Sequence, residues 1–390
     1  MKIVVDQHIP FIADIFSEIG ELVLIPGQNI SKDSIGDADA LIVRSITTID
    51  RPLLEKSRVR FVGSATAGLD HVDLTYLQGA GIRFEHAPGA NAESVAEYVF
   101  ACLAAFGSLR GDPFTSRTIG IIGAGNVGGL LARRCRALGM KTLVNDPPLA
   151  STGGTGHYAP LSEVLEQSNI ISVHTPLVKD GLYPTLGLIG SVELSKMKPD
   201  VWVVHSARGG VCHEAALLSA RSSGRVSALA LDVWENEPTP LVKHVLGADI
   251  ATGHIAGYSL DAKRAGVIKL REDLIRHFGL GSPARGQAGT RGGLSGSVNT
   301  HFLETGGESR KLVSFRTGDT INDLVTALYP VMEDDIRFKA SMKVNSNDPM
   351  ALAEAFHAYR ATYPVRRRFG SYAIDGPIPK EWAKGMGLEP

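Results

Sequence analysis

Cysteine is scarce in this chain of 390 residues: Cys102, Cys135 and Cys212 stand far apart. Three thiols at such spacing build neither a disulfide framework nor a zinc site, so they read as reduced residues and no metal is expected. Net charge is scarce too. Forty lysines and arginines against 41 aspartates and glutamates leave a formal charge of −1, which gives no support for a general nucleic-acid or membrane-surface role. No apolar run approaches about 18 residues, so a membrane span is not expected. The chain opens on a strand-like segment, without the charged-then-apolar order of a secretion signal. A cytoplasmic protein is therefore the expectation, long enough for two or three domains.

What the chain does have is a glycine-rich turn in an informative setting. Residues 119–122 read as a buried strand, and Gly123-x-Gly125-x-x-Gly128 as the turn that leads into a helix. Gly123 permits the tight turn, Gly125 lets the backbone approach a pyrophosphate, and Gly128 lets the helix pack closely on the strand; the helix N-terminus supplies N–H donors for the phosphates. Alone, such a turn also fits a mere tight connection. Here the next strand, residues 141–145, ends in Asp146, 18 residues past Gly128, where a carboxylate would hold a ribose 2′-hydroxyl. Pro147 and Pro148 follow it, and no Arg or Lys is placed to receive a 2′-phosphate. NAD is the expected cofactor, in preference to NADP.

More than a hundred residues precede this turn, and they too alternate between strand and helix. Residues 3–6, 22–25, 40–43 and 59–62 are short apolar strands, with helical patterns at 9–19 and 74–79. After Asp146 the alternation resumes, with strands at 170–173, 201–204 and 226–231 and helices at 161–167, 188–197 and 214–221. Alternation of this kind implies parallel, doubly wound sheets with ligand at the carboxyl ends of the strands. The fold expected is α/β, with two Rossmann-like domains and a small C-terminal α+β domain. Residues 1–94 and 258–285 would form the substrate domain and 95–257 the inserted NAD-binding domain, with crossing helices near 92–109 and 259–278. Residues 281–297, rich in Gly and Ser, contain a linker placed at 286–297. Residues 298–390 would form the C-terminal domain.

Oxidising a secondary alcohol beside a carboxylate needs a base for the hydroxyl proton and a cation for the carboxylate, as well as a hydride acceptor. Histidine suits the first task, especially with a carboxylate to orient it, and the planar fork of arginine suits the second. Three strand ends offer such a set: Arg208, Glu237 and His254. Each has a plainer alternative, Arg208 as a surface cation and Glu237 as an ordinary loop acid. His174, His205 and His213 also sit near strand ends, so spacing does not single out His254.

At these residues the chain resembles the D-isomer-specific 2-hydroxyacid dehydrogenase family. The resemblance is carried by Gly120-Ile-Ile-Gly-Ala-Gly-Asn-Val-Gly, His174-Thr-Pro-Leu, Ser206-Ala-Arg-Gly, Leu231-Asp-Val-Trp-Glu-Asn-Glu-Pro and Gly253-His-Ile-Ala-Gly. It is dense to about residue 285 and thin beyond. It implies Arg208 as the carboxylate-binding arginine, His254 as the proton donor and acceptor, and Glu237 as the acid that supports it. Cofactor contacts would come from Gly123, Gly125, Asn126, Val127, Gly128, Asp146, Thr175, Ser206, Ala207, Arg208, Asp232 and Gly257, with Asp232 near the nicotinamide carboxamide. Substrate contacts would come from Ser45, Thr66 and Tyr258, and the C-terminal domain would dimerise. Where relatives carry Asn or a similar residue, this chain has His205; Gly209-Gly-Val-Cys-His-Glu also departs from the usual pattern.

The substrate implied is a phosphorylated 2-hydroxy acid. Its dianion could be met by Arg44, Ser45 and backbone N–H groups near Ala67-Gly68; otherwise Arg44 is a solvent-facing cation. The run Arg366-Arg-Arg368 reads as a solvated face or as a reach toward a neighbouring subunit's ligand. Two alternatives stand beside the reading: another member of the family, and an NAD(H)-sensing protein without catalysis, because fold alone does not fix function.

Overall fold

The computed structural model describes residues 1–66, 68–69, 71–153, 156–280, 311–344 and 348–388. The expected linker, Ala67 and residues 298–310 lie outside the described residues. Two compact units emerge, one of residues 1–90 with 263–311 and the other of 91–262 with 312–390.

In the first unit five parallel strands, β1 (Lys2–Asp6), β2 (Glu21–Ile25), β3 (Ala40–Val43), β4 (Phe61–Ser64) and β5 (Arg83–His86), stand in the order β2-β1-β3-β4-β5. Both faces are covered, which is why β1 and β3 are continuously apolar rather than alternating. Ile3 and Val5 join Ala40 and Ile42 under helix Leu260–Phe278, through Val267, Leu270 and Leu274. Val4, Leu41 and Val43 face the opposite layer with Ile35, Leu54 and Leu77. β5 escaped the apolar-run criterion because Arg-Phe-Glu-His is an edge strand with little to bury.

The second unit carries six parallel strands: β6 (Ile119–Ile122), β7 (Thr142–Asn145), β8 (Ile170–Val173), β9 (Val201–His205), β10 (Val226–Leu231) and β11 (Ile250–Ala251). Their order is β11-β10-β9-β8-β6-β7. The chain runs from β6 out to β7 and returns to β8 on the other side of β6, so the strand order reverses between β6 and β8. Ligands of open parallel sheets bind at such a reversal. The expected crossing helices form as Ala92–Arg110 and Leu260–Phe278. By length and composition Ala92–Arg110 could cross a membrane, contrary to the sequence expectation, but 83% of that stretch is buried inside the protein. Its Tyr98, Phe100 and Phe106 are core residues.

The C-terminal segment does not stand apart as a third unit. Helix Ile321–Leu328 packs on Ala92–Arg110, and Phe338, Phe356 and Tyr359 enter the same core as β9 and β10. Two short strands, β12 (Lys311–Ser314) and β13 (Tyr372–Asp375), pair beside it. Helix Val331–Val344 shows no simple apolar stripe in sequence because its inward positions include Asp334 and Asp335. Asp335 accepts the Ala251 N–H at 2.7 Å and pairs with Lys339, while Asp334 accepts the hydroxyls of Tyr329 and Tyr363, each at 2.7 Å.

Candidate functional site

The glycine turn sits at the β6–β8 reversal. Gly123 has φ +91°, a conformation open to glycine, and a Cβ there would come within 2.8 Å of the His174 backbone. A Cβ on Gly128 would collide with the Gly123 carbonyl, so helix Asn126–Ala137 can approach β6 only with glycine at that position. Gly125 caps that helix and has nothing within 4 Å of where a Cβ would project. Asn126 and Val127 begin the helix, and their N–H groups are among the four that a helix start leaves unsatisfied. Asp146 follows β7 and ties both sides together: its Oδ2 accepts the Ala124 N–H at 2.8 Å and its Oδ1 the Leu149 N–H at 3.0 Å. The carboxylate thus fixes the turn, and its remaining lone pairs can accept from ribose hydroxyls.

Two hydroxyls test whether a dinucleotide fits. Thr175 Oγ1, just past β8, and Ser206 Oγ, just past β9, are buried without a hydrogen-bond partner among the described residues. Buried hydroxyls are rarely left unmade, because the desolvation is then uncompensated. Both lie at strand carboxyl ends, beside the reversal where a dinucleotide would run. The residues present fit the group.

A second cluster of candidate residues is built on the β9–β10–β11 side. The Asp232 N–H donates to the His205 carbonyl at 3.0 Å, and the His254 N–H to the Asp232 carbonyl at 2.7 Å. Asp232 itself is buried, and burial pushes its carboxyl above the usual value. Its oxygens accept from Thr252 Oγ1 at 2.6 Å, Ile255 N–H at 2.8 Å and Ala256 N–H at 2.9 Å. Tyr98 of the crossing helix shares a 2.8 Å hydrogen bond with Thr252. These ties hold His254 at φ +59°, a left-handed conformation that costs a non-glycine residue energy and persists only where surroundings enforce it. Gly253 beside it packs so closely on Phe338 and Tyr359 that a Cβ would stand 2.8 Å from Phe338.

The His254 ring meets Glu237: Nδ1 and Oε2 are 2.7 Å apart. A carboxylate only accepts, so Nδ1 carries the hydrogen, and Nε2 is the ring atom through which a proton can be exchanged with a ligand. Burial pushes the Glu237 carboxyl up, but the charge and hydrogen bond of His254, with the Trp234 N–H at 3.0 Å, outweigh it and leave the carboxyl below its ordinary value. The loop that carries Glu237 is pinned by Glu214, which accepts the Glu235 N–H while its own N–H donates to Glu235 Oε1 at 2.9 Å. Glu214 is held in turn by His244, Nδ1 to Oε2 at 2.8 Å. Sequence reading missed this second histidine–glutamate pair, since Glu214 ends a block noted only for departing from the family pattern and His244 lies in no motif.

The competing histidines separate on environment. Burial, with a push from His205, drives His174 down to about 3, and burial drives His205 down to about 4. Both are neutral at physiological pH and too weak as bases to hold a proton. His174 bonds Ser172 Oγ at 2.8 Å, and exposed His213 caps a helix through the Ala216 N–H. His205 Nε2 lies 3.0 Å from the Arg208 carbonyl, so the residue that departs from the family pattern anchors the loop of the candidate arginine. Arg208 gives Nη1 to the Ala207 carbonyl at 2.8 Å. Gly209 is required here, because a Cβ would strike the Trp234 carbonyl.

The second unit also contains Gly257, where a Cβ would stand 2.6 Å from Asn91 Nδ2, and Tyr258, whose ring meets Tyr363 edge-on at 6.0 Å. Ser45 and Thr66 belong to the first unit: Ser45 is exposed after β3, and Thr66 Oγ1 bonds Ser64 Oγ at 2.8 Å after β4. Arg44 is not a free solvent-facing cation. Its Nε donates to Asp6 Oδ2 at 2.6 Å and its Nη2 to Oδ1 at 3.2 Å, so its charge is already matched by a fully buried carboxylate. The solvated-face reading of Arg366-Arg-Arg368 also fails for Arg366. Only 7% exposed, it donates to the carbonyls of Ser94 at 3.1 Å and Ala256 at 2.5 Å, and it lies over the Tyr329 ring.

Residues 101–262 match the family model for the NAD binding domain of D-isomer-specific 2-hydroxyacid dehydrogenases. An erythronate-4-phosphate dehydrogenase of Salinibacter ruber is 39% identical over all of this chain and 98% of its own length. One from Escherichia coli O157:H7 is 43% identical over 72% of this chain and 74% of its own. Among solved structures, a D-lactate dehydrogenase of Aquifex aeolicus, complexed with NAD and lactic acid, superposes with a TM-score of 0.56 at 25% identity, covering 72% of this chain and 94% of its own. The chain belongs to the D-isomer-specific 2-hydroxyacid dehydrogenase family, in which it groups with the erythronate-4-phosphate dehydrogenases, and residues 101–262 are its NAD-binding part.

Proposed function

We propose that the protein oxidises 4-phospho-D-erythronate at C2 to (3R)-3-hydroxy-2-oxo-4-phosphooxybutanoate with NAD, a step of pyridoxal 5′-phosphate biosynthesis. The observation that carries this reading is the 2.7 Å His254–Glu237 pair, in a chain similar over its whole length to enzymes of that name. When bound, NAD supplies the acceptor for the hydride that leaves C2. Gly123, Gly125, Asn126, Val127 and Gly128 would hold its pyrophosphate and Asp146 its ribose, with Thr175, Ser206, Ala207, Asp232 and Gly257 along the remaining length.

The chain's own groups do the rest. His254 Nε2 takes the C2 hydroxyl proton as the C2–H bond breaks and the C2–O bond becomes a carbonyl. Glu237 holds the Nδ1 hydrogen and stabilises the imidazolium that forms. Arg208 binds the substrate carboxylate and draws electron density from the new carbonyl. Ser45, Thr66 and Tyr258 contact the substrate. A homodimer formed through the C-terminal segment and a cytoplasmic location complete the proposal. The test is NADH formation with 4-phosphoerythronate against 3-phosphoglycerate and unphosphorylated 2-hydroxy acids. Equal turnover of the unphosphorylated acids would reject the phosphate-specific assignment, and NADH binding without turnover of any hydroxy acid would favour a sensing protein.

A further inference from the structure

A cation beside the glutamate–histidine pair has no part in the roles assigned so far. Arg360 lies in the last turn of helix Pro349–Ala361. Its guanidinium carbon stands 5.3 Å from the centroid of the Tyr258 ring and 6.0 Å from that of Phe356. Its charge reaches Glu237 and helps to hold that carboxyl low. Its Nε–H is buried and has no acceptor among the described residues. Of the neighbouring arginines, Arg337 pairs with Asp334 at 3.5 Å and Arg367 with Asp261 at 3.3 Å. Arg366 gives Nη2 to two carbonyls, and although its Nε and Nη1 are also buried without an acceptor among the described residues, it lies over the Tyr329 ring in the core rather than beside Tyr258.

A buried guanidinium N–H without an acceptor is unfavourable, and it points to a partner that arrives with a ligand. The guanidinium lies over the Tyr258 ring, and its planar N–H fork is the group that grips phosphate through two parallel hydrogen bonds. The cation expected for the substrate phosphate, Arg44, is occupied by Asp6, and Arg208 is assigned to the carboxylate. We propose that Arg360 binds the phosphate of the substrate, with the Tyr258 ring setting the plane of its guanidinium. The C-terminal segment would then determine specificity as well as pack on the nucleotide-binding core. The inference rests on the functional reading above.

The experiment compares wild type with Arg360→Gln and Arg360→Lys. It reads kcat and KM for 4-phosphoerythronate and for unphosphorylated erythronate, the affinity for NADH, and calorimetric binding of inorganic phosphate. In Arg360→Gln the preference for the phosphorylated over the unphosphorylated acid should fall about 10- to 100-fold, the range of a charge-assisted hydrogen bond. The loss should fall mainly on KM, with partial recovery in Arg360→Lys, and phosphate binding should weaken at least tenfold. A preference unchanged in both variants, or an equal loss on both acids, would overturn the proposal and leave Arg360 a packing residue. Should Arg360→Gln fail to fold, Arg360→Lys decides alone: a preference equal to that of wild type overturns the proposal, and a severalfold loss supports it. A wild-type protein that oxidises no 4-phosphoerythronate would sink the functional reading instead. Phosphate binding then decides the inference by itself, equal binding in wild type and variant counting against it.

Discussion

Each unit has a parallel sheet in which the strand order reverses, between β1 and β3 in the first and between β6 and β8 in the second, yet the two reversals are furnished in opposite ways. In the first, the strand end carries Asp6, fully buried, and the loop after β3 carries Arg44; the two satisfy each other. In the second, the strand end carries Gly123, and the neighbouring hydroxyls of Thr175 and Ser206 are left without partners among the described residues. The same architecture gives a closed account in one place and an open one in the other. The reversal therefore provides a place for a ligand, and the residues set there decide whether one is needed.

The largest expected effect lies wholly on the open side. His254→Ala removes the imidazole but leaves the turn's backbone ties to Asp232 in place. We expect kcat to fall by about 10² to 10⁴, the usual contribution of a general base, while NADH affinity by fluorescence titration stays near that of wild type. Turnover within threefold of wild type would remove His254 from its role.

The converse test attacks the closed side. Arg44→Met leaves the buried Asp6 carboxylate without its counter-charge, which should cost about 2–3 kcal/mol of stability; Arg44 is itself partly exposed, so the value lies below that of a fully buried pair. NADH affinity should not move, and Asp6→Asn combined with Arg44→Met should recover most of the loss, as read by urea denaturation. A stable single variant that binds NADH poorly would break the contrast between the units.

Next in size is Glu237→Gln, which keeps the shape of the side chain but can no longer favour the imidazolium. A 10- to 100-fold fall in kcat is expected, as when the hydrogen-bond partner of an active histidine is lost. Because the Glu237 carboxyl is held below its ordinary value in the folded protein, its stabilising contribution is present above the ordinary carboxylate pKa and is lost as pH falls through the lowered value. The difference in melting temperature between wild type and variant should accordingly shrink on acidification below about pH 4.5, the region of ordinary carboxylates. A difference that grows instead would reverse the sign argued here.

The open side was the more legible in sequence, and for a physical reason. Glycines forced by close approach, as at Gly123 and Gly128, and strands buried on both faces leave local marks: apolar runs and fixed spacings. Asp146 was legible as a strand-end acid but not as the group that fixes the turn through the Ala124 N–H, because that bond spans 22 residues. What stayed hidden depends on partners distant in the chain. His205 and His254 look alike in sequence; burial silences the first and Glu237 orients the second. Arg44 read as a phosphate cation or a solvent-facing one because Asp6, 38 residues away, was not seen to meet it. Arg366 read as solvated because nothing local shows that Ser94 and Ala256 receive it.

The finest test sets one exchange against itself. Thr175→Val and Thr47→Val each replace a hydroxyl with a methyl of nearly the same volume. In the second unit the Thr175 hydroxyl is buried and has no partner among the described residues, so its loss should leave the ligand-free protein as stable as before or raise stability by up to about 1 kcal/mol, since an unmet hydroxyl is a cost removed. If that hydroxyl awaits the dinucleotide, NADH binding should weaken by about three- to tenfold, one neutral hydrogen bond's worth. In the first unit the Thr47 hydroxyl already donates to the Gly27 carbonyl at 2.9 Å. The same exchange there should cost about 1 kcal/mol or more of stability, because the Gly27 carbonyl loses its donor, and NADH affinity should be untouched. Opposite signs in stability, with an affinity change on one side only, are what a satisfied and an unsatisfied strand-order reversal require. Equal destabilisation by both exchanges, with NADH affinity intact, would mean that the Thr175 hydroxyl has a partner within the protein and awaits no ligand.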